Sequence, residues 1–128
     1  MKLKLLPFYF SLLSGVAFGQ SSSVLERTKL ALKSGNSQQM GQMMADKIQY
    51  GYEGEAKVMT TKEAVTQLAG FYKSNPVAEL TQLFQGQSKD GKQYFIGLLK
   101  TRNGIFRCSV YWIESPKSQI LSMDISKE

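Results

Sequence analysis

The sequence predicts an α+β fold in which a curved antiparallel sheet wraps over a layer of helices. Three observations lead to this fold class. Helix-capping signals concentrate before residue 76, strand-like runs fill the remainder of the chain, and short turns join the last of these runs. Helices and strands that segregate along a chain in this way are typical of α+β domains. We expect the order α-α-β-α-β-β-β-β in a single domain over residues 20–128.

Residues 1–19 have the features of a secretory signal peptide. Two lysines precede an uncharged apolar stretch over residues 5–18, and Ala17 and Gly19 place small residues at the −3 and −1 positions of a cleavage site. The alternative is an N-terminal membrane anchor, for which the apolar stretch is short. We therefore expect a periplasmic or secreted protein without a stable membrane anchor, and export makes nucleic acid an unexpected partner.

The composition excludes several classes of chemistry. The 128 residues include 16 Lys and Arg, 10 Asp and Glu, one Cys and no His, which gives a net charge of +6. Without His the chain cannot build Ser-His-Asp or Cys-His catalytic sites or His-ligated zinc. A single Cys excludes an intramolecular disulfide and a Cys-only metal site. We expect no metal and no cofactor.

Two helices are predicted at the start of the domain. Ser23 and Glu26 have capping-box spacing and open a helix over residues 24–34. Ser37 is the predicted cap of a second helix over residues 38–46, which Asp46 closes. Three methionines on one side of this second helix are expected to pack in the core: Met40, Met43 and Met44.

A strand and a third helix follow. Ile48, Tyr50 and Tyr52 alternate with polar or small residues, which predicts a half-buried strand. Residues 54–59 show no clear period and are expected to form a turn and a short extended piece.

The third helix has the clearest signals in the chain. Thr60 and Glu63 form a capping box that opens a helix over residues 61–74, and Asn75 before Pro76 ends it. Its expected buried stripe consists of Val65, Leu68, Phe71 and Tyr72.

The rest of the chain is predicted to form four strands, over residues 77–85, 93–102, 105–114 and 119–126. Asn103 and Gly104 join the middle two, and an Asn-Gly pair between alternating runs predicts a type I′ hairpin turn. That turn would pair Arg102 with Ile105.

The predicted hairpin has two contrasting faces. One is uncharged and is expected to face the core: Phe95, Gly97, Leu99, Thr101, Phe106, Cys108, Val110 and Trp112. The opposite face is more apolar than a solvated sheet face requires. We expect five of its residues to form an interface, such as a homodimer through the outer sheet face: Tyr94, Ile96, Leu98, Tyr111 and Ile113. The alternative is that loops or a terminus of the same chain cover this face.

Gly97 introduces a possible cavity. The predicted register places it opposite Val110, which leaves a gap on the core face, and glycine within a strand often marks a bend. A strongly bent sheet forms a cone whose open end can hold a pocket. Larger neighbours can fill the gap instead. The candidate pocket-lining residues are Tyr50, Tyr52, Phe95, Leu99, Cys108 and Trp112.

Four stretches of the chain carry a family resemblance: residues 71–76, 86–91, 94–97 and 103–107. They are similar to a family of small exported bacterial proteins of unknown function. The resemblance implies the nuclear transport factor 2-like, or cystatin-like α+β, cone fold over nearly all of residues 20–128. It supplies no catalytic residues, because the shared motifs are turns and core positions.

The available chemistry supports two functions. The first is a non-enzymatic exported domain that binds a small apolar ligand or an envelope protein, with Cys108 as a buried, unreactive thiol. The alternative is a small ketosteroid isomerase-like enzyme, since enzymes of that type share the cone fold and use a carboxylate and a tyrosine in an apolar pocket. Its candidate residues are Asp46, Asp124, Tyr50 and Tyr52, with Glu53, Glu55 and Glu79 as further carboxylates.

Basic residues cluster around the predicted hairpin and the loop before it: Lys89, Lys92, Lys100, Arg102 and Arg107. We interpret this cluster as a solvated hairpin tip that favours solubility. An anionic ligand or surface is the alternative partner.

Overall fold

The computed structural model describes residues 24–128, which form three helices and six strands. The helices are α1 over residues 24–34, α2 (Ser37–Gln42) and α3 (Thr61–Ser74). The strands are β1 (Met44–Tyr52), β2 (Glu55–Thr60), β3 (Val77–Gln87), β4 (Gln93–Thr101), β5 (Gly104–Ile113) and β6 (Gln119–Lys127). The predicted signal peptide and the Ser23 cap lie outside the described residues.

One sheet contains all six strands in the order β2-β1-β6-β5-β4-β3. Neighbouring strands are antiparallel except β1 and β6, which run parallel. The helices pack on one face, and the buried residues of the two layers form one core. The predicted α+β fold class is confirmed.

Strand β2 is an element that the predicted order lacks. The extended piece expected near residues 54–59 pairs in full with β1, from Tyr52 opposite Glu55 to Lys47 opposite Thr60. Glu53 and Gly54 join the two strands, and both have positive φ, as a type I′ turn requires. Because glutamate rarely occupies such a position, the sequence gives little sign of this hairpin.

Helix α2 is shorter than predicted. Asn36, not Ser37, caps it, since the Asn36 side chain accepts a hydrogen bond from the Gln39 backbone N–H at 2.9 Å. The helix ends at Gln42 because the chain then joins the sheet, where the Ile120 N–H donates to the Met43 carbonyl at 2.7 Å. Asp46 therefore lies in β1 and closes no helix. The three methionines are buried, which confirms their packing in the core.

The predicted register of the β4–β5 hairpin is wrong by two residues. Thr101 pairs with Gly104, so Arg102 and Asn103 form the turn. Neither of these two residues has the positive φ of a type I′ turn, whereas Gly104, the first residue of β5, does. The Asn103 amide instead donates to the Ser74 carbonyl and to Asn75 Oδ1, both at 2.8 Å. The turn is thus held against the end of α3.

A shift of two residues preserves the two faces of the hairpin, because strand side chains alternate with period two. The face predicted to lie in the core is buried. Gly97 pairs with Cys108, not with Val110, and the Phe95 ring fills the space beside it, 2.9 Å from where a Cβ of residue 97 would lie. The gap at Gly97 is therefore closed by a large neighbour.

Helix α3 matches its prediction at both ends. Thr60 and Glu63 make the reciprocal capping-box hydrogen bonds, and Asn75 caps the C-terminus. Over residues 24–128, no helix is both long and apolar enough to cross a bilayer.

Candidate functional site

An open cavity of about 380 Å³ lies between α3 and strand β1. Its lining combines three aromatic rings with uncharged hydrogen-bonding groups: Tyr50, Tyr52, Thr66, Gln67, Gly70, Phe71, Ser74 and Asn75. Aromatic rings can hold the apolar part of a small molecule, and the polar side chains can fix its orientation by hydrogen bonds.

Two periodicities place these side chains together. Tyr50 and Tyr52 alternate along β1 and so point to the helical side of the sheet. On α3, Thr66, Gly70 and Ser74 recur every four residues and lie along one side of the helix.

Aromatic contacts and a glycine shape the wall of this cavity. The rings of Phe71 and Tyr52 meet edge to face with centroids 6.2 Å apart. Phe71 packs in the same way against Phe106 of the core at 5.0 Å. A Cβ at Gly70 would meet no atom within 4 Å, so the absence of a side chain at this position leaves open space in the cavity. The cavity is thus bounded by rings that core packing holds in place.

The cavity is electrically neutral. Burial raises the pKa of the Tyr50 phenol, with further increases from nearby Cys108, Tyr52 and Asp124. Tyr50 therefore stays protonated at physiological pH and acts as a hydrogen-bonding group. Among the described residues, no Asp or Glu lines this cavity.

A second open cavity, of about 490 Å³, continues from the first along the β1–β2 hairpin. The two share Tyr50, Tyr52 and Gln67. Exposed Glu55 and Lys57 line the second cavity, so the neutral site passes into a charged and solvated rim.

The predicted pocket-lining residues fall into two groups. Tyr50 and Tyr52 line the cavity, whereas four others are at most 3% exposed and lie in the solid core: Phe95, Leu99, Cys108 and Trp112. The α3 residues Thr66, Gln67 and Gly70 were not predicted for the site. Their sequence signal is a polar stripe beside the buried one, which is indistinguishable from an ordinary solvated helix face.

Of the carboxylates considered for catalysis, only Glu55 comes near the two tyrosines, at the exposed rim of the second cavity. Asp46, Glu53, Glu55 and Glu79 are exposed, and Asp124 is half-buried on the sheet face away from the helices. A ketosteroid isomerase-like reaction needs a carboxylate in an enclosed apolar cavity. None of the five occupies such a place. Within residues 24–128 no three His, Cys, Asp or Glu side chains come together as a metal site would require.

Cys108 is fully buried, and it lies on the core face as the alternation predicts. Burial raises the pKa of its thiol to about 12, with a smaller contribution from Asp124. A thiol that stays protonated is a poor nucleophile, so the structure gives Cys108 a packing role.

The predicted interface residues share the outer sheet face with a more exposed neighbour. Tyr94, Ile96, Leu98, Tyr111 and Ile113 are each half-buried. Phe84 of β3 pairs with Ile96 and is 56% exposed, so it extends this surface.

The basic residues near the hairpin are partly neutralised by acidic neighbours. Arg107 Nε lies 3.0 Å from Glu128 Oε2. Lys92 and Lys100 lie 3.4 and 3.9 Å from Asp90 and Glu79 carboxylate oxygens. Pairs this exposed contribute little to stability, and they reduce the positive field that would attract an anion.

Comparisons with known proteins agree with this fold. The profile of the DUF4783 family, a domain of unknown function, matches residues 25–126. A DUF4783 family protein from Bacteroides fragilis YCH46 has a structure with a TM-score of 0.74 at 26% identity, over 80% of this chain and 96% of that chain. One from Bacteroides uniformis ATCC 8492 gives 0.74 at 27% identity, over 80% and 95%.

A more distant structure shows the cone fold itself. An NTF-2-like protein of unknown function from Silicibacter pomeroyi DSS-3 superposes with a TM-score of 0.60 at 9% identity, over 90% of this chain and 98% of that chain. Among curated proteins none matches the sequence significantly. The predicted cone fold is therefore confirmed, and the chain belongs to the DUF4783 family, a domain of unknown function.

Proposed function

We propose that this domain is a non-enzymatic binding protein whose cavity between α3 and β1 holds a small, uncharged molecule with both an apolar surface and hydrogen-bonding groups. The observation that carries the proposal is the lining of that cavity. Tyr50, Tyr52 and Phe71 supply flat apolar surface, and neutral side chains such as Gln67 and Asn75 supply hydrogen bonds. Such a lining favours neutral ligands, because a charged ligand would lose hydration without gaining an ionic partner.

The cavity can be tested by filling it. Gly70→Leu places a side chain in the open space at residue 70 and also removes a poor helix former from α3. The matched control is Ala69→Leu, because Ala69 is exposed on the same helix and does not line the cavity.

The probe is cyclohexanol, with cyclohexylammonium and cyclohexanecarboxylate as charged counterparts, followed by NMR shift perturbation. We expect saturable shifts at Tyr50, Tyr52 and Phe71 with cyclohexanol, retained in Ala69→Leu and lost in Gly70→Leu. Equal binding of the carboxylate, or full binding by Gly70→Leu, would overturn the proposal.

A second candidate function is self-association through the outer sheet face. The exposed Phe84 ring lies beside Ile96 on that face, and residues of this kind are enriched in interface cores. We propose a homodimer that buries this part of the face. Sedimentation should show a concentration-dependent dimer that Ile96→Glu abolishes.

The matched control for the dimer is Val58→Glu. Val58 is 66% exposed on the same sheet face, at its opposite edge on β2. A strict monomer at high protein concentration, or an equal effect of both variants, would reject the proposed interface.

We also propose that the protein is exported to the periplasm or secreted. The charged start, apolar stretch and small residues of segment 1–19 support this location. N-terminal sequencing of protein from the native envelope or medium should begin at Gln20. A chain that retains Met1 in the cytoplasm would contradict export.

A further inference from the structure

A recess of about 200 Å³ lies on the sheet face opposite the helices, away from the cavity described above. It crosses four adjacent strands, β2, β1, β6 and β5, since Ala56 of β2 also lines it. Two rows of paired residues form it, since Gly51 and Ser109 both pair with Asp124, while Gln49 and Tyr111 both pair with Ser122. Apart from Gln49 and Tyr111 at the rim, the residues in these two rows have short side chains, which leaves the recess open.

The position of the Asp124 carboxylate depends on a glycine. A Cβ at residue 51 would overlap Asp124 Oδ1, so the carboxylate lies directly over the Gly51 backbone. Any larger residue at 51 would push the carboxylate aside. The absence of a side chain at residue 51 therefore lets the Asp124 carboxylate lie at the base of the recess.

Within residues 24–128, the four ion pairs do not include Asp124. Its side chain accepts a 3.4 Å hydrogen bond from Ser126 Oγ at Oδ2. A half-buried carboxylate has lost part of its hydration, and a cationic partner is the group that best replaces it.

An aromatic ring lies in the row of paired residues next to that of Asp124. Tyr111 borders the recess, and its ring packs against Tyr94 with centroids 5.7 Å apart, which limits its freedom. Aromatic faces attract organic cations, and the attraction grows when the cation is desolvated. Hydroxyl oxygens of Ser109 and Ser122 offer further acceptors for N–H groups.

A single carboxylate with hydroxyl neighbours does not form a metal site, and no cluster of metal-ligating side chains occurs in the described part of the chain. A carboxylate, an aromatic face and hydroxyl acceptors in a small recess instead fit a cationic nitrogen. We propose that this recess binds an organic ammonium group. The group can belong to a free amine or to a lysine side chain of a second copy of this chain, since the recess lies on the outer sheet face and shares Tyr111 with the predicted interface.

The inference is tested by NMR titration with n-butylammonium and with n-butanol, its neutral counterpart, at constant ionic strength. We expect saturable shifts at Gly51, Ser109 and Tyr111 with the ammonium and none with the alcohol. Asp124→Asn should weaken binding about tenfold or more, as loss of a charge-assisted hydrogen bond implies. Gly51→Ala should weaken binding as well, because it displaces the carboxylate.

The matched control is Asp46→Asn. Asp46 is exposed on β1, the strand that contains Gly51, and it does not line the recess. Equal weakening by Asp46→Asn would mean nonspecific attraction and overturn the inference, as would equal binding of butanol or failure of butylammonium to bind. Circular dichroism checks that each variant is folded.

Sedimentation separates the two sources of the ammonium group. If a lysine of a second copy is the occupant, butylammonium and Asp124→Asn should both dissociate the oligomer. If a free amine is the occupant, the oligomeric state should not change while the titration still saturates.

Discussion

At residue 103 an asparagine connects two parts of the molecule that are distant in sequence. Its side-chain amide donates to the Ser74 carbonyl and to Asn75 Oδ1 at the end of α3. We expect Asn103→Ala to lower the free energy of unfolding by about 1–2 kcal/mol, because each hydrogen bond contributes about 1 kcal/mol and Asn75 is buried. Urea denaturation measures this change, and Arg102→Ala in the same turn should change the midpoint little. Equal changes in the midpoint for the two variants would contradict a stabilising role of the Asn103 hydrogen bonds.

Two glycines should respond to the same substitution with opposite signs. A Cβ at Gly97 would lie 2.9 Å from the Phe95 ring and 3.0 Å from the Thr81 carbonyl oxygen, whereas a Cβ at Gly70 meets open space. Gly97→Ala should destabilise the fold by about 1–3 kcal/mol through overpacking. Gly70→Ala should stabilise it by up to about 1 kcal/mol through helix propensity. Thermal denaturation of both variants checks the pair, and a stabilised Gly97→Ala would contradict the close packing.

At the scale of the elements, the cap of α3 predicts a pH dependence. Hydrogen bonds from the Thr60 backbone and side chain hold the pKa of Glu63 below its ordinary value of 4.5. Because the folded-state pKa is the lower one, the stabilisation is complete above the unfolded-state pKa and is lost as pH falls through the folded-state value. Glu63→Gln should therefore reduce the loss of stability in acid.

The measurement for the cap is the urea midpoint as a function of pH from neutral into acid. Glu55→Gln is the control, since Glu55 is exposed and lies outside the cap. Asp90, whose pKa is lowered by a hydrogen bond from Ser88, contributes with the same sign, so the slope should shrink without vanishing. An unchanged slope in Glu63→Gln would refute the assignment.

The elements with local signals were predictable from the sequence, and those set by distant contacts were not. Helix α3 carries both its cap and its stop within its own sequence. Helix α2 ends early because Met43 accepts a hydrogen bond from Ile120, nearly 80 residues later. The β4–β5 register moves by two residues because Asn103 bonds to α3 instead of forming the turn that Asn-Gly favours. In both cases a tertiary contact outweighs the local preference.

At the scale of the whole molecule, Cys108 reports on global opening. It is fully buried, and burial raises its pKa to about 12. We expect a thiol reagent at pH 8 to modify Cys108 only through unfolding, so that the rate rises with urea as global unfolding does. An exposed control, Ser118→Cys, should react at once without urea. Rapid modification of native Cys108 would reveal a local opening that the packing does not predict.

The fold was more predictable than the candidate site. Alternation alone identified the core face of β4 and β5, because every second side chain must face the helices. The cavity depends on how α3 lies across β1, and this placement leaves no signal in either segment. Tyr50 and Tyr52 could be predicted for the site because they are aromatic and alternate along a half-buried strand. Gln67 and Gly70 could not, because their pattern is that of any exposed helix surface.

Strand β6 occupies an inner place in the sheet although it follows the other five strands in the sequence. It separates β1 from β5, and the β1–β6 pairing joins residues about 75 positions apart, as between Tyr50 and Met123. Until β6 is present, the β2–β1 hairpin and the β5–β4–β3 meander have no strand between them. Such high contact order slows folding. A chain synthesised from its N-terminus therefore cannot complete this sheet strand by strand, and assembly of the two halves waits for the nine residues of β6.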